Sequence, residues 1–281
     1  MTNILYEFFD GIEKDYLASG MNKKLEKYIS DSIQYSIVIA IFIGVLSFIF
    51  ILIISIKLIK HIIPFLFIAP IFLAILSFAG LLYLFKIYPK FLKNERERKI
   101  DNSLYFAVLY MASLTSSGAN PKVLFDLLSK YKDFSEIQKE SQRIIYLVDD
   151  IGLSLPDALK NRIDYSPSKK WASILEGIRS IIIEGGDLES YLYQQVEKLY
   201  EEYKRKIIEY SDNLQIFLEI YITLIVVGII FLIILTTLMG SIANTSFQSI
   251  ESLQLISVLT ILPMGTLMFI ILIKSMNPFE T

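Results

Sequence analysis

Cysteine is absent from the 281-residue chain, and histidine occurs once, as His61. Disulfides and thiolate metal sites are thereby excluded, and a zinc or iron site would need to be mostly carboxylate. No H-E-x-x-H, G-x-S-x-G or G-x-x-x-x-G-K-S/T string occurs, so zincin, α/β-hydrolase and P-loop chemistry find no support. Charge is also scarce. Asp, Glu, Lys and Arg make up 20% of residues, below the quarter that is usual in soluble domains. The formal net charge of -2 gives no case for a nucleic-acid partner.

What fills the chain instead is hydrophobic sequence, in four blocks. They run over residues 33–56, 62–85, 216–239 and 253–273. About 20 apolar residues rising 1.5 Å each cover a hydrocarbon core of about 30 Å. The pattern predicts four transmembrane helices in two hairpins, 33–85 and 216–273. Residues 1–32 mix Asp, Glu and Lys and lack the basic, apolar and cleavage regions of a secretory signal. The first span is expected to be a retained anchor, and residues 274–281 a short tail.

Basic residues near the spans set the expected orientation. Lys14, Lys23, Lys24 and Lys27 precede span one. Lys86, Lys90, Lys93, Arg96, Arg98 and Lys99 follow span two, Lys204, Arg205 and Lys206 precede span three, and Lys274 follows span four. The link between spans three and four, residues 240–252, has no Lys or Arg. Both termini and the middle of the chain are therefore expected in the cytoplasm, with both hairpin turns outside. Lys57 and Lys60, in the first turn, oppose this but are outnumbered.

Residues 86–215 read as helix almost throughout, with no Asn-Gly or Asp-Gly hairpin signal. Asn120-Pro121, Ser154 with Pro156 and Asp157, and Ser166-Pro167 are helix starts. Gly185-Gly186-Asp187 stops one helix and caps the next. Six helices follow, near 95–117, 121–131, 135–151, 155–163, 167–184 and 187–215. The fold class is all-α: four membrane helices and an antiparallel bundle of about six. Three breaks share a shape, GANPKVLF from Gly118, GLSLPDAL from Gly152 and GGDLESYL from Gly185. Ordinary glycine C-caps suffice for the fold, although the spacing also suits an internal repeat. Short links imply antiparallel neighbours. Between Asp187 and Gly228 there is no Gly or Pro. Leu188, Leu192, Val196, Leu199 and Tyr203 give this stretch one apolar face, so one helix is expected to pass from the bundle into span three.

Candidate chemistry in these elements is thin. Asp149-Asp150 are adjacent and do not face each other on a helix. Gly185-Gly186-Asp187-Leu188-Glu189 is similar to the signature of cyclic dinucleotide synthases, but that motif needs a β-hairpin and here lies between helical runs. His61 is expected at a membrane interface, and Trp171 and Tyr165 inside the bundle. Pro64, Pro70 and Pro263 can kink their spans. Glu219 is the one acid within a predicted span, and a carboxylate there is costly unless paired or wetted. It either reaches the interface or anchors a helix or partner contact. No second intramembrane acid completes a proton relay.

Several short strings occur in a recognisable order: Leu114-Thr-Ser-Ser-Gly118-Ala-Asn-Pro121, Gly152-Leu-Ser-Leu-Pro-Asp-Ala-Leu159, Ser166-Pro167, Leu175-Glu-Gly177, Glu184-Gly-Gly-Asp-Leu188 with Leu192, and Leu218-Glu-Ile-Tyr221. In this topology the chain resembles the type II secretion system F-domain family, the inner-membrane platform proteins of type II secretion and type IV filament systems. The single bundle is similar to the half-length branch of tight-adherence pili and archaeal filaments. The resemblance implies a non-catalytic platform without cofactor or metal. Its implied partners are a hexameric secretion ATPase in the cytoplasm and pilin-like subunits in the membrane. It also implies a homodimer, or a heteromer with a second platform protein. The residues of interest are then structural: the turns and caps at Gly118, Pro121, Gly152, Pro156, Pro167, Gly185, Gly186 and Asp187, with Glu219 as an intramembrane contact. The competing class is a small transporter or channel, and the lack of paired polar groups within the spans counts against it. The topology has a direct test. An outside-only reporter fused at Thr245 should be active, and one fused at Lys160 inactive; outside labelling of a cysteine placed at Lys160 in intact cells would overturn the orientation.

Overall fold

A computed structural model describes residues 8–9, 11–21, 23–58, 69–242 and 247–276. Among them there is helix and no strand. The helices are α1 (Glu13–Ser19), α2 (Leu25–Leu58), α3 (Ala69–Thr115), α4 (Pro121–Lys130), α5 (Ser135–Asp149), α6 (Leu155–Asp164), α7 (Lys169–Glu184), α8 (Leu188–Tyr221), α9 (Gly228–Ile242) and α10 (Phe247–Met276), with a 3₁₀ turn at Lys132–Phe134 and a π segment at Ile222–Val227. Four stretches are long and apolar enough to cross a membrane, within Leu25–Ile53, Ala69–Thr115, Leu188–Ile242 and Gln254–Ser275. The chain is a multi-pass membrane protein. Its contacts divide it into two compact units, residues 1–192 and 193–281, which are taken in turn. His61, Lys60, Pro64 and residues 243–246 of the link expected at 240–252 lie outside the described residues.

In the first unit, α2 and α3 pair as a hairpin. Their backbones approach closely where Gly44 faces Ala74: a Cβ on Gly44 would lie 3.1 Å from the Ala74 Cβ. Small residues at such a crossing bring apolar helices into van der Waals contact, which is what holds helices together in lipid. The sequence suggested separate helices for span two and the first bundle helix. Instead α3 runs through both for 47 residues, about 70 Å at helical rise.

Continuity through Pro89 has a specific cause. Proline carries no N–H, so the carbonyl four residues back, that of Phe85, loses its helical donor. The Tyr28 hydroxyl of α2 donates to that carbonyl at 2.7 Å. Around this bond lies a cluster of Phe9, Ile12, Tyr16, Tyr28, Ile29 and Leu82. Tyr16 comes from α1, a short helix not foreseen in residues 1–32, and Phe9 and Ile12 come from the residues just before it. The α1 helix ends on Gly20 in the left-handed region, φ +76°. The Tyr16 hydroxyl ties the following turn by donating to the Lys23 carbonyl at 2.7 Å, and Lys93 of α3 pairs with Asp15 at 2.7 Å.

The bundle forms on the far half of α3. Ile100, Leu104, Val108 and Met111, at helical spacing, are fully buried. The helices α4, α5 and α7 pack on α3, and α6 packs on α5 and α7; Leu124, Phe125 and Leu128 of α4, Ile137 and Ile144 of α5, Leu159 of α6, and Trp171, Leu175 and Ile178 of α7 are all equally or almost equally enclosed. Trp171 is thus interior as expected, whereas Tyr165 stands 39% exposed, on the C-cap of α6 where the chain turns outward.

In the second unit, α9 and α10 form the other hairpin. Tyr221 stacks on Phe269 with ring centres 4.6 Å apart, and its hydroxyl lies 3.1 Å from that of Thr266. The Gln254 amide donates to the hydroxyls of Thr236 and Thr237, both at 2.9 Å. Such bonds answer polar groups that lipid cannot. The uninterrupted α-helix expected up to Gly228 holds only to Tyr221. The next six residues, ITLIVV, adopt π geometry. Five of the six are β-branched, and such side chains crowd the preceding turn of an α-helix. Ile225 presses into the space left by Gly265, where a Cβ would lie 2.6 Å from its Cδ1.

The proline account predicts a coupled pair. Tyr28→Phe should destabilise the detergent-solubilised protein by about 1–2 kcal/mol, because it strands the Phe85 carbonyl. In a Pro89→Ala background the backbone donor returns, and Tyr28→Phe should cost about 1 kcal/mol less. Additive losses in thermal or denaturant unfolding would show that the hydroxyl does not replace the missing helical bond.

Candidate functional site

A buried charge cluster lies where α3, α5 and α6 meet. Glu136 and Glu140 are four residues apart on α5 and so share a face. Alone they would repel, and both are buried, Glu140 completely. Cations from three helices compensate them. Arg96 of α3 donates from Nε to Glu136 at 2.7 Å and from Nη2 to Glu140 at 2.7 Å. Arg162 of α6 grips the other Glu140 oxygen through Nε at 3.1 Å and Nη2 at 2.8 Å. Arg143 reaches Glu140 at 3.3 Å, and Lys139 reaches Glu136 at 2.6 Å. The remaining Arg96 arm donates to the Ala18 carbonyl at the end of α1, at 2.6 Å.

This geometry fixes the electrostatics. Burial pushes the Glu136 carboxyl up, but hydrogen bonds from Lys139 and Arg96 outweigh it and hold the group below the usual carboxylate range. Burial also lowers the Arg143 pKa, and the positive charges of Arg96 and Arg162 add to the effect. Removing one partner from a buried ionic network leaves its counterpart uncompensated, which costs far more than losing an exposed pair. The cluster positions helices. Its carboxylates are committed to cations, so neither is a free acid or base. Among the described residues no three of His, Cys, Asp and Glu gather as a metal site.

The residues singled out in the sequence occupy helix ends. Gly118, Gly152 and Gly185 have φ of +79°, +82° and +73°. At Gly152 nothing lies within 4 Å of a built Cβ, so the demand there is conformational, not steric. Asn120 accepts from the Lys122 amide at 3.0 Å with Pro121 opening α4. Ser154 accepts from the Asp157 amide at 3.3 Å, with Pro156 in the first turn of α6. The start expected at Ser166-Pro167 falls two residues later. Ser168 is the cap: its hydroxyl accepts from the Trp171 amide at 3.1 Å and donates to Asp101 of α3 at 2.5 Å. Ser166 instead donates to the Ser168 carbonyl at 2.9 Å, which leaves Pro167 outside α7. After Gly186, Asp187 accepts from the amides of Glu189 and Ser190 at 3.0 and 3.2 Å. Glu189 takes a hydrogen bond from Ser116 at 2.7 Å, and Asp149 pairs with Lys122 at 2.6 Å. The acids of both suspect strings thus tie helix ends together. Glu219 is exposed on α8 and accepts from Gln215 one turn back, at 3.1 Å.

The structure does not gather these positions into one cleft. The cluster it does form was missed because Arg96 was counted only as a topology charge. Glu136, Lys139, Glu140 and Arg143 were not singled out in the sequence. The available signal was a pair of acids four apart whose helix also carried Ile137 and Ile144 on its buried side.

Comparison with known proteins bears on these elements. Residues 107–236 match the family model for the type II secretion system (T2SS), protein F. The match covers just under half of the chain, from the buried part of α3 into α9. It includes Glu136, Glu140, Arg143 and Arg162, and leaves out Arg96 and α1. The chain is similar to an uncharacterized protein of Methanocaldococcus jannaschii, 25% identical over 136 residues, which is 48% of this chain and 23% of that protein. It is also similar to flagella accessory protein J of the same organism, 21% identical over 194 residues, 69% of this chain and 34% of that protein. The chain thus spans only about a quarter to a third of the curated relatives it matches. No solved structure matches.

The cluster makes a prediction with a sign. Glu140→Gln keeps the volume but leaves Arg96 and Arg162 short of a counter-charge, and should cost about 3–5 kcal/mol. Asp126→Asn, which breaks the exposed pair with Lys130, should cost about 1 kcal/mol or less. Because the Glu136 pKa is lower folded than unfolded, its stabilisation is complete above the unfolded value and disappears as pH falls through the folded one. Acid unfolding followed by circular dichroism should therefore show Glu136→Gln to be less pH-dependent than the parent below about pH 4.5. Equal acid profiles would remove Glu136 from the network.

Proposed function

We propose that the chain is a non-catalytic platform protein of the type II secretion F family, serving assembly of a type IV pilus-like filament or a related secretion process. The observation that carries this reading is the match to protein F over a helical bundle that is joined to membrane hairpins on both sides. The absence of cysteine, and of a metal cluster among the described residues, is compatible with it. On this reading the bundle and both termini face the cytoplasm, where a hexameric secretion ATPase docks. Pilin-like subunits are handled in the membrane, and the working unit is a homodimer or a heteromer with a second platform protein. The half-length archaeal or tight-adherence branch suits the single bundle, and the similarity to an archaeal flagella accessory protein points the same way.

The helix α8 is the covalent route from the bundle to the third span, and on this reading it carries force between them. Its 34 residues contain no Gly or Pro, so no kink-forming residue interrupts it. Glu219, near its membrane end, is then a contact for a partner helix. The turns and caps at Gly118, Pro121, Gly152, Pro156, Gly185, Gly186 and Asp187 serve by fixing helix directions within the bundle.

Two glycines inserted after Tyr203 add backbone freedom at about 1 kcal/mol each and turn the downstream face. The altered protein should reach the membrane at normal levels and still co-purify with the secretion ATPase, while filament assembly or secretion fails. Intact assembly would dismiss α8 as the transmission element. Lys204→Gln with Lys206→Gln keeps helix propensity and should leave ATPase capture unchanged; loss of capture would make this face a docking surface. If the parent protein captures no such ATPase and its deletion spares filaments and secretion, the platform reading falls.

A further inference from the structure

The charge cluster does not balance. Arg96, Lys139, Arg143 and Arg162 surround two carboxylates, Glu136 and Glu140, leaving a formal excess of two positive charges in a partly desolvated place. Asp15 and Glu95, on the adjoining stretches of α1 and α3, are engaged by Lys93 and Lys99 and do not supply the difference. The excess falls on the outer side. Arg96 spends three donor arms within the protein and Arg162 two. Arg143 makes one long bond to Glu140, and its side chain is 35% exposed. Lys139 is 58% exposed. Lys139 and Arg143 are four apart on α5, an arrangement that repels when nothing lies between the two charges.

The backbone approaches closely at the same place. Gly20 lies against the guanidinium groups: a Cβ there would be 2.7 Å from Arg96 Nη1 and 3.1 Å from Arg143 Nη2. Any side chain at position 20 would press on both. A glycine turn, unspent guanidinium donors and a neighbouring ammonium are a combination suited to a tetrahedral oxoanion, which arginine binds through paired N–H groups.

We propose that Arg143 and Lys139, beside the Gly20 turn, form a binding site for a phosphate-class oxoanion. Gly20 is separated from the start of α2 by four residues, so the site lies close along the chain to the first span. Two sources fit one chemistry: the phosphate of an anionic lipid headgroup, or a soluble phosphate. The proposal does not depend on the platform reading, since it rests on charge and geometry within the first unit.

The test uses the full chain in non-ionic detergent. Inorganic phosphate, compared with chloride at equal ionic strength, should raise the unfolding temperature saturably, by about 3 °C or more. A parallel arm adds phosphatidylglycerol or phosphatidylcholine to the micelles. A response to phosphate alone identifies a soluble anion, and a response to phosphatidylglycerol but not phosphatidylcholine identifies a headgroup; either supports the site. Lys139→Gln with Arg143→Gln should weaken the response at least tenfold while circular dichroism stays unchanged. Arg143→Lys should keep part of it, and Lys130→Gln all of it. No response of the parent in any arm, or an undiminished response in a folded double variant, overturns the proposal.

Discussion

One buried carboxylate organises the water-facing part of this protein. Glu140 is fully enclosed, and it is tolerable there only because guanidinium groups arrive from α3, α5 and α6. An apolar contact at this junction would resist separation but permit sliding. A carboxylate gripped from two sides by Arg96 and Arg162 specifies where each helix stops along its neighbour. Through its third arm Arg96 also fixes the end of α1, so the N-terminal segment and the bundle share a side chain. The rest of the bundle core can then consist of ordinary aliphatic and aromatic packing.

A different constraint governs the hairpins. Where no water can serve, each freed carbonyl or amide needs an answer from the protein. Tyr28 answers the carbonyl that Pro89 deprives, and Gln254 bonds with Thr236 and Thr237 across the second hairpin. Hydrocarbon side chains contribute less here than in the bundle, because lipid receives them as readily as a neighbouring helix does.

Much of this was legible in sequence because it depends on local rules. The four spans declare themselves by length, and the bundle helices by caps at Asn120, Ser154 and Asp187 and by left-handed glycines. Those signals act within a few residues. What escaped depends on residues far apart. Arg96 and Glu140 are separated by 44 residues, and neither looks unusual on its own helix. Tyr28 and Phe85 are 57 residues apart, and nothing near Pro89 announces the hydroxyl that lets α3 continue. The shift from Ser166 to Ser168 has the same origin: both serines can cap, but Ser168 alone also reaches Asp101. As for the site, glycines and prolines attracted notice through rarity, while the charge cluster is built from common residues.

The π segment at Ile222–Val227 changes how the third span is to be read. Its hydrogen bonds close over five residues where an α-helix uses four, so one additional residue is accommodated within the membrane. Every position after it is rotated by about a quarter turn relative to an unbroken α-helix. A helical wheel drawn from Leu188 through Ile242 would therefore assign the wrong faces to Gly228 and beyond. Two helical addresses thus coexist on one continuous piece of chain, and the exchange between them takes place where Ile225 fills the space beside Gly265.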